Sequence, residues 1–190
     1  MTKVRAAVFA SGTGSNFEAI MAQHDNLNCE IALLVCDQPN AKVLDKAEKF
    51  NVPTFVFESK NYDSKEAYER ELIDQLQAVN ISWVFLAGYM RIVGKTLLQA
   101  FEGRIINIHP SILPAFPGVD AIGQAFDAGV KITGVTVHYI DEGIDTGPII
   151  AQESLEVLPE DTKESLQIRI QEIEHKLYPA VIRQLLKNEA

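Results

Sequence analysis

Residues 4–23, VRAAVFASGTGSNFEAIMAQ, carry the strongest indication of the fold. The apolar run Val4–Ala10 is typical of a strand that is buried on both faces of a sheet. A turn of glycine and small polar residues, 12–16, follows it directly, and a helix is predicted over residues 16–23. A buried strand, a glycine turn and a helix in this order predict the first βα unit of an open α/β sheet.

The same alternation of apolar strands and amphipathic helices continues along the chain. Further strands are predicted at 31–36, 54–57, 83–87, 105–108, 134–140 and 149–154, and further helices at 41–50, 64–79 and 162–186. Pro179 is expected to break or kink the last helix near Tyr178, because proline removes an intrahelical hydrogen bond. The predicted fold class is α/β: a Rossmann-like, mostly parallel sheet with helices on both faces. The two C-terminal strands extend one end of it, with antiparallel pairing allowed there.

Length and charge narrow the classes of function. The chain has 190 residues, which fits one domain, and positions 1–190 are predicted to form a single unit. A formal net charge of −9 argues against a nucleic-acid binder, which needs a basic surface. No apolar run approaches the ~20 residues of a membrane span. We therefore expect a cytoplasmic protein, monomer or weak homodimer, that acts on small molecules without nucleic-acid or membrane partners.

The two cysteines indicate no metal or redox site. The spacing of Cys29 and Cys36 matches neither a CxxC redox motif nor a zinc motif. Both lie in or beside an apolar run, so both are expected to be reduced and buried. No bound metal is predicted.

The glycine turn is a candidate phosphate site. Gly14, Ser15 and Asn16 lie where backbone amides at a helix start favour an anion. The turn is neither a dinucleotide fingerprint, since Phe17 occupies the place of the third glycine, nor a Walker A motif, since no Lys follows. Asp37, just after the second strand, stands where a ribose-binding acid would lie. That residue keeps a nicotinamide-dependent reductase open as an alternative.

Two polar side chains occupy the end of a strand that is otherwise apolar. Asn107 and His109 alternate with Ile106 and Ile108, so strand geometry places both polar groups on one face. The carboxyl ends of parallel strands are where α/β sheets build ligand sites. A catalytic or binding role is therefore favoured for both.

A loop rich in acids, DEGIDTGP at 141–148, follows the strand that contains His138. Such a loop can be a solvated turn, but Asp145 could instead reach His109, where a carboxylate would orient the imidazole ring and favour its charged form. For His138, packing in the core, support of the site and catalysis all remain open.

Four stretches together point to a family: GTGSN at 12–16, AGYMRIV at 87–93, NIHPSILP at 107–114 and DEGIDTGPII at 141–150. In order and spacing they resemble the folate-dependent formyltransferases. The turn and the short chain favour the branch of phosphoribosylglycinamide formyltransferases. The resemblance extends from Val4 to EHKLYP at 174–179. The rivals are another folate formyltransferase or deformylase, the reductase above, and a ribonucleotide-binding module without catalysis.

The resemblance implies a reaction. A formyl group passes from 10-formyltetrahydrofolate, the co-substrate, to the amine of N1-(5-phospho-D-ribosyl)glycinamide in de novo purine (IMP) biosynthesis. The amine attacks directly, and no metal takes part. Asn107 and His109 would stabilise the oxyanion, and Asp145 would assist proton transfer.

The resemblance also implies roles for further residues. Those assigned to the ribonucleotide and its phosphate are Gly14, Ser15, Asn16 and Glu174. Those assigned to folate are Lys65, Met90, Arg91, Ile92, Val93 and Asn107. The segment 115–123 departs from the family pattern, so no role is carried over there. A cis bond is expected between Leu113 and Pro114, both from the family's loop and from the sharp turn required after the strand.

Overall fold

The computed structural model describes residues 3–189 and places seven strands in one sheet. The strands are β1 (Val4–Ala10), β2 (Cys29–Cys36), β3 (Thr54–Val56), β4 (Trp83–Leu86), β5 (Ile105–His109), β6 (Ile132–Tyr139) and β7 (Ile149–Glu156). Their order across the sheet is β3-β2-β1-β4-β5-β6-β7. Strands β1 to β5 pair in parallel, whereas β6 and β7 are antiparallel to their neighbours. The predicted fold class is confirmed, including antiparallel pairing at the C-terminal end.

The strand order creates a crevice between β1 and β4. The chain runs outward from β1 to β2 and β3, and then returns to continue on the other side with β4 and β5. The connections that leave β1 and β4 at their carboxyl ends therefore diverge, and open α/β sheets bind ligands at such a point.

Helices cover both faces of the sheet. They are α1 (Ser15–Met21), α2 (Val43–Lys49), α3 (Lys65–Ala78), α4 (Lys95–Ala100), α5 (Ala121–Ala128) and α6 (Lys163–Leu185). The side chains of β1 alternate between two apolar cores, as the period of a strand requires. Val8 packs in the core that contains α1, α2 and α6, and Phe9 packs in the core that contains α3 and α4.

Two helices were not anticipated from the sequence. These are α4 and α5, which lie between predicted strands in stretches where no element was predicted. For α5 a signal was present: the Asp120 side chain accepts a hydrogen bond from Gly123 N at 3.2 Å, and Gly129 ends the helix in the left-handed conformation. An acid before the helix and a glycine after it are the usual signals of both ends.

Of the break or kink predicted at Pro179, the break does not occur. Helix α6 continues to Leu185 with Pro179 inside it. Tertiary packing explains this, because Tyr178 is fully buried and its hydroxyl donates to the backbone oxygens of Leu86 at 2.8 Å and Ile106 at 3.3 Å. These contacts hold the helix against two strands and compensate for the missing hydrogen bond.

Two other expectations are confirmed by the structure. The peptide bond between Leu113 and Pro114 is cis, as predicted. Cys29 and Cys36 are free and buried, as predicted. No helix within residues 3–189 combines the length and the apolar character that crossing a membrane would require.

Candidate active site

A cleft of about 520 Å³ opens at the carboxyl ends of β1, β4 and β5. Its walls are the glycine turn, the segment after β4, the loop after β6 and one face of α6. It brings together most of the residues predicted from the sequence: Gly14, Ser15, Asn16, Met90, Arg91, Ile92, Val93, Asn107, His109, Asp145 and Glu174. Lys65 is the exception, because it lies exposed at the start of α3 and does not line the cleft.

The glycine turn is shaped by a close contact with α2. Gly14 has φ +75°, and a Cβ there would approach Val43 Cγ2 to 2.5 Å. Only glycine combines that conformation with that lack of space. The backbone oxygen of Gly14 accepts from Glu18 N at 2.9 Å, which begins α1 and directs Ser15 and Asn16 towards the cleft.

Asn16 and Glu174 form a buried polar pair at the cleft wall. The Asn16 amide donates to Glu174 Oε2 at 3.4 Å, and Asn16 Oδ1 is buried without a hydrogen-bond partner among residues 3–189. Burial raises the pKa of Glu174 to about 7, against a smaller opposing effect of the Asn16 amide. The pair thus leaves Asn16 Oδ1 as an unpaired hydrogen-bond acceptor at the cleft wall, and a ligand can supply the donor.

Glu174 is expected to make stability depend on pH. Its pKa is about 7 in the folded chain against an ordinary 4.5, so its contribution is fully present below pH 4.5 and is lost as pH rises through 7. The loss is about 3 kcal/mol of unfolding free energy. Chemical denaturation of wild type and Glu174→Gln should show a difference that grows in favour of the variant across this window. A constant difference would contradict the raised pKa.

Asp145 is the centre of the polar cluster. One carboxylate oxygen, Oδ2, accepts from Gly118 N at 2.8 Å and lies 3.4 Å from His109 Nδ1. The other oxygen, Oδ1, lies 3.7 Å from His138 Nε2. The structure thus places Asp145 within the distance expected for a pair with His109, and adds a second imidazole.

His138 orients Asn107. The fully buried ring has Nδ1 2.8 Å from Tyr139 O, an acceptor only, so Nδ1 carries the proton. Burial lowers the pKa of His138, which keeps Nε2 unprotonated and able to accept from Asn107 Nδ2 at 3.4 Å. Asn107 Nδ2 has a second hydrogen for a ligand. The sequence left the role of His138 open, because the register that pairs it with Asn107 appears only when β5 and β6 are placed side by side.

Both ring nitrogens of His109 face acceptors. Nε2 lies 2.9 Å from Phe116 O, and Nδ1 faces Asp145. The oxygen of Phe116 can only accept, so Nε2 carries a proton. Phe116 and Gly118 belong to the same segment, 115–123, for which the resemblance carried over no role. In this structure its backbone contacts both His109 and Asp145.

Asp37 lies outside the cleft lining, and its carboxylate is already bonded. Oδ1 accepts from Ser11 Oγ at 2.6 Å, and Oδ2 accepts from Arg91 Nε at 2.7 Å. A ribose-binding acid needs unpaired carboxylate oxygens in the site. The position of Asp37 therefore no longer supports a nicotinamide-dependent reductase.

One face of α6 supplies cleft residues that sequence reasoning missed. Lys163, Gln167 and Gln171 line the cleft together with Glu174. Their spacing of four, four and three residues places them on one helical face, and this was the available signal. Among the described residues, two Arg or Lys side chains line the cleft, and both are paired with an acid. Arg91 is paired with Asp37, and Lys163 is paired with Asp127.

Fold and site together define the class of protein to which the chain belongs. The family model described as formyl transferase matches residues 4–182. The chain belongs to this family. The described part of the chain, 3–189, shows no group of three or more His, Cys, Asp or Glu side chains able to hold a metal ion.

Near relatives agree on the branch within the family. A phosphoribosylglycinamide formyltransferase of Bacillus subtilis (strain 168) is 59% identical over 95% of this chain and 93% of its own. Its counterpart of that name in Bacillus halodurans superposes with a TM-score of 0.95 at 55% identity, covering 98% of this chain and 97% of the other. Glycinamide ribonucleotide transformylase 1 of Geobacillus kaustophilus gives 0.95 at 56%, covering 97% and 100%. The resemblance predicted from the motifs is confirmed.

Proposed function

We propose that the protein transfers the formyl group of 10-formyltetrahydrofolate to the amine of N1-(5-phospho-D-ribosyl)glycinamide. The observation that supports this most directly is the convergence of Asn107, His109 and Asp145 in a cleft that faces a glycine turn. The family supplies the formyl chemistry, and the names of the relatives supply the acceptor.

The chemistry requires charge stabilisation on two atoms. As the amine attacks the formyl carbon, negative charge develops on the formyl oxygen and positive charge on the nitrogen. The free hydrogen of Asn107 Nδ2 is a donor for that oxygen, and His109 becomes a second donor when its Nε2–H exchanges Phe116 O for the substrate oxygen. Donors placed in advance are worth about 3 kcal/mol each.

Asp145 would take the proton that leaves the nitrogen. Its carboxylate lies beside His109 and His138 and is only slightly exposed. A water molecule between the amine and the carboxylate would relay the proton. Collapse of the tetrahedral adduct would then break the bond between the formyl carbon and N10 of the folate, and the relayed proton would pass to N10, so that tetrahydrofolate leaves. Since the amine attacks the formyl carbon directly, no covalent enzyme intermediate is formed.

The two substrates would occupy opposite parts of the cleft. The ribonucleotide would place its phosphate at Gly14–Asn16 and its polar groups near Glu174, where buried polar capacity is unused. The folate would lie against the backbone of 90–93 and the loop 141–145. Binding both reactants side by side supplies a large part of the rate enhancement.

One assay tests the function. Purified protein is mixed with 10-formyltetrahydrofolate and the ribonucleotide, and the deformylated folate is followed by absorbance, with omission of the ribonucleotide as the control. Release of deformylated folate only when the ribonucleotide is present supports transfer. Equal release without it would indicate a deformylase instead.

Ser15→Ala should raise the KM for the ribonucleotide more than the KM for the folate, because Ser15 lies in the turn assigned to the phosphate. Losing one hydrogen bond to a charged group corresponds to about a tenfold rise or more. Ser154→Ala, an exposed serine on β7, is the matched control. An equal rise in both constants would indicate a general defect of the fold.

A further inference from the structure

The segment that follows β4, residues 88–93, lines the cleft without any regular secondary structure. Neither a helix nor a sheet ladder therefore sets the positions of its backbone groups. Its far end is held by the buried Glu69, whose Oε2 accepts from Gly94 N at 2.8 Å. Its near end must be held by something else.

Asp37 holds the near end through two paths. Asp37 Oδ2 accepts directly from Arg91 Nε at 2.7 Å. Asp37 Oδ1 accepts from Ser11 Oγ at 2.6 Å, and that hydroxyl accepts in turn from Met90 N at 2.9 Å. Ser11 N also donates to Gly88 O at 3.0 Å. The ends of β1, β2 and β4 are thus joined around one carboxylate.

The carboxylate is nearly inaccessible to solvent. Asp37 is 3% exposed, and a buried charge is costly unless it is paired and hydrogen-bonded. The guanidinium of Arg91 provides the pairing and also lies over the ring of Tyr68, 5.9 Å from its centroid. The Arg91 side chain is thus held between Asp37 and Tyr68, and its charge is paired with that of Asp37.

We propose that Asp37 is a positioning residue for folate binding, which fixes the backbone of Met90 and Arg91 through Ser11 Oγ and Arg91 Nε. The proposal rests on the function proposed above, in which folate lies against 90–93. It adds that the shape of this wall is set by an acid outside the cleft. A misplacement of about 1 Å in a binding wall can cost about 10²-fold in rate.

Asp37→Asn is the sharpest test. Asparagine keeps an oxygen for Ser11 Oγ but turns an NH₂ group towards Arg91, so it breaks one path and spares the other. The KM for 10-formyltetrahydrofolate should rise about 10- to 100-fold, as expected for a lost hydrogen bond to a charged group. The KM for the ribonucleotide should stay nearly unchanged. Asp45→Asn, the same change on the exposed surface of α2, should alter neither.

A double-mutant cycle tests whether Asp37 acts through its hydrogen bond to Arg91. If Asp37 acts through Arg91, Asp37→Asn should have little further effect on folate KM in an Arg91→Met background. Calorimetric titration with tetrahydrofolate should show the same order of affinities.

An unchanged folate KM, a parallel rise in both KM values or additive effects in the cycle would each overturn the proposal. If wild type transfers formyl groups and Asp37→Asn is normal, only the positioning role fails. If wild type transfers none, the proposed function fails and the folate role of Asp37 with it.

Discussion

Asp145→Asn is expected to lower kcat by about 10²- to 10⁴-fold, the range of a lost general acid–base group. Asparagine has nearly the same shape and keeps an oxygen for Gly118 N, so the loop should remain in place. It removes the negative charge that faces His109 Nδ1 and His138 Nε2, and with it the acceptor for the amine proton. Both KM values should change little, because the carboxylate acts on the transition state.

The control for this variant is Asp74→Asn, which makes the same change on the exposed side of α3. Steady-state kinetics with both substrates and a thermal unfolding curve would be recorded for wild type and both variants. Turnover near that of wild type in Asp145→Asn would contradict the role of Asp145 as the acceptor of the amine proton. A large fall in the unfolding midpoint would assign the loss to folding instead.

The segment 115–123 supplies backbone partners to two catalytic candidates, His109 and Asp145. Phe116 O accepts from His109 Nε2, and Gly118 N donates to Asp145 Oδ2. The backbone of one segment therefore contacts both groups. In the proposed mechanism the substrate oxygen takes the place of Phe116 O. The hydrogen bond between Gly118 N and Asp145 can persist, because the carboxylate has a second oxygen.

Much of the scaffold was predictable because it follows from periodicity. The apolar run at Val4–Ala10 and the alternation at Ile105–His109 depend on the two faces of a strand, and both strands lie where the pattern placed them. The positions of Asn107 and His109 in the cleft follow from the same alternation. The glycine turn was recognisable because the left-handed conformation at Gly14 favours glycine.

Apart from the proximity of Asp145 to His109, the contacts around Asp145 and Asp37 were not predictable from the sequence. Phe116, Asp120 and Asp145 all have φ near +54°, a region that residues other than glycine seldom adopt, and no local pattern announces it. Asp37 bonds to residues 26 and 54 positions away, so its role appears only when three strand ends meet. Hydrogen bonds between a side chain and the backbone of an irregular loop carry no sequence signature.

The second large effect is expected at the oxyanion donors. Asn107→Ala and His109→Ala should each lower kcat by about 10²- to 10³-fold, because each removes a donor placed in advance for the developing charge. The effect on either KM should be smaller, since the formyl oxygen carries little charge in the bound substrate. His24→Ala, which alters an exposed histidine that does not line the cleft, is the control.

The double variant separates two interpretations of these losses. Asn107 and His109 act on the same oxygen in the proposed mechanism. Asn107 is oriented by His138, and His138 and His109 both lie beside Asp145. Groups that act as a unit give losses that do not multiply. The double variant should therefore lose less than the product of the single losses. A full product would show that the two side chains act at different steps, and the shared oxyanion site would have to be abandoned.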